Sequence, residues 1–541
     1  MSEETVAKLL VKTLREIGVR HVFGVPSGGW VDYLEAIRQT DGISFVLTSH
    51  EGGAAFMADV CGQLTGVPGV CFGTFGPGAT NLSTGVGCAL LDRSPMIAFT
   101  DELPASMRGR TTQMGIDHQA LFRPLTKKTT RLEPGRVQEI LFDATRTALS
   151  ERPGPVHIGL PVDISGKCAP VNGSPWPEPE APPMPSEEVL LSAAELLRRS
   201  RKPVLVIGLG AVRAGVRNEV LTLAEGVRAP IVLTPMAKGM VPEDHPCYAG
   251  VFFHALSDQV AQTHQQADLI IAIGYDPVEF NYESWLPAVP VLSIDTVTAD
   301  LDRSRYELAC EIVGDIPRAV QTLARLVPDA KDWDLQALAA RRQRMFQGLA
   351  SSSDRFGPCG VLEVLRDVLP ENGIMTCDVG AHTHLVGQKW LTPEPGLQIM
   401  TNGWSAMGFG LPAAIAAKLC RPNLPVCAVL GDGGFLMSAG ELATAVRENL
   451  HIVFIVLTDN DLALIRIKQQ KKGNPIYGTP VWGQGTTLGG DNVFGVPLLR
   501  ASDPAEFEAQ LQRAFQQDGP VIVEALIDSE EYDPLILKSD R

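Results

Sequence analysis

Two acids set among glycines at the ends of apolar runs carry the chemistry of this chain. Asp432 lies in Leu430-Gly431-Asp432-Gly433-Gly434-Phe435, and Asp459 follows one helix and one strand later in Thr458-Asp459-Asn460. Residues 426–430 form a short apolar run bounded by Pro425 and the glycines, as a buried strand does, and 452–457 form another. Between them, 436–449 has helical spacing, with Leu442 and Val446 on one face. That order puts both acids at the carboxyl ends of neighbouring parallel strands, where open α/β sheets bind ligands. Carboxylate oxygens there suit magnesium, and glycines at 431, 433 and 434 let the backbone come close to a phosphate. The predicted chemistry is a metal-held diphosphate. An isolated Asp-Gly is also an ordinary turn, so the second acid at the matching strand end is what favours the ligand reading.

A third acid stands far away in sequence. Glu51 sits among small and apolar residues in Ser49-His50-Glu51-Gly52-Gly53-Ala54-Ala55. On its own it reads equally as an acid opening a helix and complementing its dipole. Shortly after it, Val70-Cys71-Phe72 leads into Gly73-Thr74-Phe75-Gly76-Pro77-Gly78, a strand running into a glycine-rich turn and a helix start.

These motifs resemble the thiamine diphosphate-dependent enzymes, whose fingerprint is a Gly-Asp-Gly followed, a helix and a strand later, by Asn or Asp. The match is most similar to acetolactate synthases of the catabolic, flavin-independent type. The stretches Asp92-Arg93-Ser94-Pro95, Leu121-Phe122-Arg123-Pro124-Leu125-Thr126-Lys127 and Ile273-Gly274-Tyr275-Asp276-Pro277-Val278-Glu279-Phe280 extend the likeness over almost the whole chain. The resemblance implies that Asp432, Asp459 and the main-chain carbonyl of Asp461 bind magnesium. It implies that Gly431, Gly433 and Gly434, with Gly380 and His382 of Asp378-Val379-Gly380-Ala381-His382, hold the diphosphate, and that Met407 props the cofactor into its bent shape. It also implies that Glu51 hydrogen-bonds the cofactor's pyrimidine and starts catalysis as a proton relay, which needs a carboxyl held in a poorly solvated site. Without the surrounding motif Met407 reads as core packing. Gln113, His118 and Gly28 are weaker candidates for touching substrate, and each serves equally as a structural residue.

The fold this implies is α/β, with three domains of doubly wound parallel sheets and a Rossmann-like central domain. The chain of 541 residues suits three cores. Prolines crowd residues 169–188, among them Pro175, Pro177, Pro179, Pro182, Pro183 and Pro185, as in a semi-rigid linker. The expected divisions are 1–168 for the pyrimidine-binding domain, 186–328 for the central domain and 354–541 for the diphosphate-binding domain. In the central part, Gly208-Leu209-Gly210 after a strand imitates a dinucleotide site, but Arg213 stands where the third glycine belongs. An ordinary packing turn is therefore expected there, and FAD, used structurally by anabolic relatives, is not favoured.

A net charge of −16 argues against nucleic acid, and no apolar stretch is long enough to span a bilayer. Ten scattered cysteines without a Cys-x-x-Cys pair suit free thiols in a reducing compartment, and the cytoplasm is the expected location. Cys61, Cys71 and Cys88 read as small core residues.

The activity implied is decarboxylation of a 2-oxo acid, with pyruvate as the default, and transfer of the acyl-anion equivalent to an acceptor carbonyl. Similar enzymes are homodimers with shared sites, or pairs of such dimers. Departures cluster near the substrate: Pro26-Ser27-Gly28-Gly29-Trp30 lacks the lysine of the catabolic synthases, and Gln113 lies one place further from Asp117. Gly489-Gly490 falls where relatives form a helix, at a cost of roughly 2 kcal/mol relative to alanine. A non-ligating 2-oxo acid decarboxylase, a synthase with another acceptor and a non-catalytic cofactor-binding protein are the alternatives.

Overall fold

The computed structural model describes residues 3–171, 176, 180–279, 285–352, 355–483 and 487–537. Pro175, Pro177, Pro179, Phe280 and the expected domain start at residue 354 lie outside them.

Three parallel sheets follow one another along the chain. In the first, the spatial order is Ser44–Leu47, His21–Gly24, Gly69–Gly73, Met96–Glu102, Pro155–Pro161 and Lys128–Arg131, all parallel. Numbered by sequence that order is 2-1-3-4-6-5. The third sheet repeats it with Gln398–Met400, Ile374–Cys377, Val426–Gly431, Val453–Thr458, Val521–Leu526 and Val496–Ala501, then adds the antiparallel edge strand Asn492–Val493. The central sheet differs. Its strands run Tyr248–Val251, Ile231–Leu233, Pro203–Ile207, Leu269–Ile273, Val291–Asp295 and Leu308–Val313, the 3-2-1-4-5-6 order of a Rossmann fold. Its strands are almost continuously apolar because helices cover both faces.

The first sheet is doubly wound. One face packs under Val6–Ile17, Val31–Arg38 and Val137–Leu149, and the other under Glu51–Thr65 and Pro77–Leu91. That second face shares one core with the third sheet, where Ala54, Ala55 and Phe56 meet Phe409, Leu411 and Ala414. The rings of Phe56 and Phe409 pack nearly perpendicular with centroids 5.6 Å apart. The chain therefore joins its first and third sheets back to back through small-residue helices.

The imitation dinucleotide turn is a packing turn. A β-carbon on Gly208 would lie 2.4 Å from the carbonyl oxygen of Gly274, so the two strand ends touch backbone to backbone. Glu279 closes that turn, its Oε1 accepting the Leu209 amide at 3.0 Å. Burial raises that carboxyl to about 8.

One expected detail fails. The helix after Gly431 begins at Asp432 without a separate turn, runs to Ser438, breaks into the 3-10 turn Ala439–Glu441 and resumes as Leu442–Arg447. The break rotates the second piece so that Leu442 and Ala445 face inward and Val446 faces out.

Candidate active site

The sequence-predicted ligands of the third sheet converge on one pocket. Gly431 ends the strand Val426–Gly431 and pairs with Leu457 of the adjacent parallel strand, so Asp432 and Asp459 leave the sheet side by side. Gly380 and His382 follow the neighbouring strand Ile374–Cys377. Gly380, His382, Met407, Gly431, Asp432, Gly433, Gly434, Asp459 and Asp461 all line the pocket, whose remaining walls are largely apolar.

The two acids are held rather than loose. Asp432 is 2% exposed; one oxygen accepts the Gly433 amide at 2.8 Å and the other the Asn460 amide at 2.9 Å. Asn460 adopts φ +58°, which turns the chain sharply after Asp459, and its side-chain oxygen accepts the Trp482 amide at 2.5 Å. Asp459 accepts the Asp461 amide at 3.2 Å. Burial raises Asp432 to about 6. Burial, then the Asp432 charge, raises Asp459 to about 7. Two crowded carboxylates in a poorly solvated pocket suit a divalent cation, which would relieve both effects. The Asp461 carboxylate is paired through one oxygen with Arg466 at 2.8 Å.

Other features fit a diphosphate. His382 is buried and shifted down to about 4 by that burial, so its ring is neutral, and its Nε2 has no protein partner among the described residues. A β-carbon on Gly434 would sit 2.4 Å from Asp378 Oδ2, so only glycine lets the helix approach so closely.

Asp378, to which the sequence motif assigns no role, supports this pocket. It is fully buried and raised to about 7 by that burial, and its carboxylate accepts the Val379 amide at 2.7 Å and the Gly408 amide at 2.9 Å. It thereby fixes the turn that presents Met407. Its position, an acid directly after a strand, was the available signal.

Glu51 is elsewhere. It begins the helix Glu51–Thr65, is 8% exposed, and accepts a hydrogen bond from Asn81 Nδ2 at 2.9 Å. The loop before it is anchored to the third sheet by Glu441, which accepts the Ser49 amide at 3.1 Å and the His50 amide at 3.0 Å. Glu441 was not singled out from the sequence, since its partners lie almost 400 positions away. Glu51, Gln113, His118 and Gly28 do not line the pocket that holds the acids. Gln113 and Gly28 are exposed, whereas His118 is buried, hydrogen-bonded to Thr100 Oγ1 at 2.9 Å and to the Gly76 amide at 3.3 Å.

Comparison with known sequences decides the family. Residues 4–121 match the thiamine pyrophosphate enzyme N-terminal TPP binding domain, 190–323 the central domain and 378–525 the C-terminal TPP binding domain. Acetolactate synthase of Bacillus subtilis (strain 168) is 30% identical over 99% of this chain and 95% of its own length. The chain belongs to the thiamine pyrophosphate enzyme family. A catabolic acetolactate synthase of Raoultella terrigena is 30% identical over 98% of the chain and 96% of its own length. A protein of Pseudomonas aeruginosa named "Probable 2-ketoarginine decarboxylase AruI" is 32% identical over 96% and 92%. The family's cofactor is thiamine pyrophosphate, and the two outer matched segments, which carry Glu51 and the strand-end acids, are its binding domains. Among the described residues no helix is long and apolar enough to cross a membrane.

Proposed function

We propose that this protein is a thiamine pyrophosphate- and magnesium-dependent enzyme that decarboxylates a 2-oxo acid, pyruvate by default, and ligates the acyl-anion equivalent to an acceptor carbonyl. The convergence of Asp432, Asp459, His382 and Met407 on one pocket carries this reading. The cofactor supplies the nucleophilic carbon and the electron sink for decarboxylation. Asp432, Asp459 and the Asp461 carbonyl would hold magnesium, and His382 and the glycines would receive the diphosphate. Met407 would support the bend, while Glu51, oriented by Asn81, would give and take a proton at its carboxyl. Glu279 at the Leu209 amide supports the view that flavin is not used. We propose domain limits of 1–168, 186–328 and 354–541, with the strand Cys168–Pro170, which pairs back to Glu3–Thr5, carrying the first domain two residues further.

A decarboxylase without ligation is the second reading. It is favoured by the P. aeruginosa relative and by Gly489 and Gly490, which sit at φ +70° and +61° in a non-helical stretch. With pyruvate alone, product analysis is expected to give acetolactate. Acetaldehyde without acetolactate would establish the second reading, and release of carbon dioxide only from a cationic 2-oxo acid would move the donor away from pyruvate.

The proposal includes a homodimer with shared sites, or two such dimers as a tetramer. Glu51 is absent from the pocket that holds the acids of its own chain. Each half-site also exposes apolar side chains: Leu436 and Met437 in the helix that Asp432 begins, and Met114, next to Gly76, with Ile116 on the Glu51 side. A second copy would cover both. Mixing inactive Glu51→Gln and Asp432→Ala chains should restore part of the activity, because one site in each mixed dimer combines two intact residues. Dead mixtures after demonstrated subunit exchange, or a fully active monomer in sedimentation, would exclude sharing.

A further inference from the structure

Two of the ten cysteines meet across the contact between the first and third sheets. Cys61 lies in the helix that Glu51 begins, and Cys420 is the last residue of the helix Gly410–Cys420 that follows Met407 and Gly408. Their sulfurs are 2.9 Å apart. We propose that Cys61 and Cys420 form a reversible disulfide that staples these two helices when the protein meets a peroxide.

The geometry is close to a bond. A disulfide is about 2.05 Å long, so the sulfurs need to approach by only roughly 0.9 Å. The helix ends are already held together, since Arg421 Nη2 donates to the Leu64 carbonyl at 2.6 Å. Among the described residues no other pair of cysteines lies within hydrogen-bonding distance. Cys168 is exposed without a thiol partner, and most of the rest are buried.

The two thiols are also unequal. Cys61 is buried, whereas Cys420 is partly exposed. The hydrogen bond the two sulfurs share, opposed by burial and helped by the charge of Arg421, lowers the Cys420 thiol, and Cys420 is the one of the two within reach of solvent. Cys420 is thus the attacking sulfur and Cys61 the resolving one. The Cys420 thiolate attacks a peroxide oxygen and the O–O bond breaks, giving a sulfenic acid and hydroxide. The Cys61 sulfur then displaces the hydroxyl, which leaves as water with the Cys61 proton. Two thiols and one hydrogen peroxide yield one disulfide and two waters. In a reducing compartment the pair rests as thiols, and thiol exchange returns it to that state.

The staple lies about ten residues, or roughly 15 Å of helix, from Glu51. It locks the packing of the sheets without entering the pocket. Because it links positions 359 residues apart, it restrains the unfolded chain strongly.

The test treats the native protein with a few equivalents of hydrogen peroxide, alkylates the remaining thiols and maps non-reduced peptides by mass spectrometry, with exposed Cys168 as the internal measure of oxidant. A Cys61–Cys420 linked peptide that dithiothreitol removes is expected, with Tm raised by about 2 °C or more. In Cys61→Ser, the sulfenic acid should instead accumulate on Cys420 and be trapped by dimedone. If both thiols remain alkylatable after Cys168 is fully oxidised, or if Cys420 oxidises in the native protein without any linked peptide, the proposal fails.

Discussion

Asp432→Ala is expected to weaken binding of thiamine pyrophosphate with magnesium at least ~100-fold, because removing one partner of a buried charge cluster costs about 3 kcal/mol or more. Titration calorimetry reads it directly. In the proposed site Asp432 contributes twice: it would supply a ligand oxygen, and it accepts the Gly433 and Asn460 amides at 2.8 and 2.9 Å, which shape the turn carrying Asp459. Asp432→Asn separates these roles, since the amide oxygen keeps an acceptor for the turn but lacks the charge. Affinity should fall in both variants, and native affinity in both would remove Asp432 from the site.

The same pocket predicts coupling to protons. With no metal bound, burial and crowding hold Asp432 at about 6 and Asp459 at about 7, so near pH 6 the pair still carries protons that a metal must displace. Cofactor affinity should fall as pH drops through that range and level off above pH ~8, where both groups are ionised. Calorimetry at pH 6 in two buffers of different ionisation enthalpy should show proton release that Asp459→Asn reduces. No release in the native protein would contradict a metal held by both acids.

What the sequence made legible was local. Asp432 and Asp459 could be placed because each follows a short apolar run that reads as a buried strand, and the helix between them suits a parallel pair, as found. The Gly208 turn could be told from a dinucleotide site because Arg213 breaks the spacing, and the contact with Gly274 agrees. Partnerships across the chain were not legible. Nothing in Ser49-His50 indicates that their amides end on Glu441, and nothing near Met407 indicates that Asp378 fixes its turn. Helical periodicity misassigned Val446 because it assumes an unbroken helix, and the 3-10 turn Ala439–Glu441 shifts the phase. Gln113 and His118 show the same limit: two polar side chains five positions apart end up one in solvent and one buried beneath Gly76.

Glu51→Gln should produce the opposite signature to Asp432→Ala. Glutamine keeps the length of the side chain and an oxygen to accept the Asn81 amide at 2.9 Å, so the helix start and its packing should survive. What disappears is a group that can release and regain a proton. Cofactor binding, which the proposed metal and diphosphate contacts of the third sheet would dominate, should stay within about threefold of native, while turnover falls at least ~100-fold, the usual scale of a lost general acid-base group. Loss of packing alone could also lower turnover, so the decisive measurement is exchange of the cofactor's thiazolium proton for deuterium on the enzyme. Exchange should slow in step with turnover if Glu51 starts the cycle. A native exchange rate with low turnover would place Glu51 after activation, and native values of both would return it to the plainer role its sequence also allows, an acid that opens a helix.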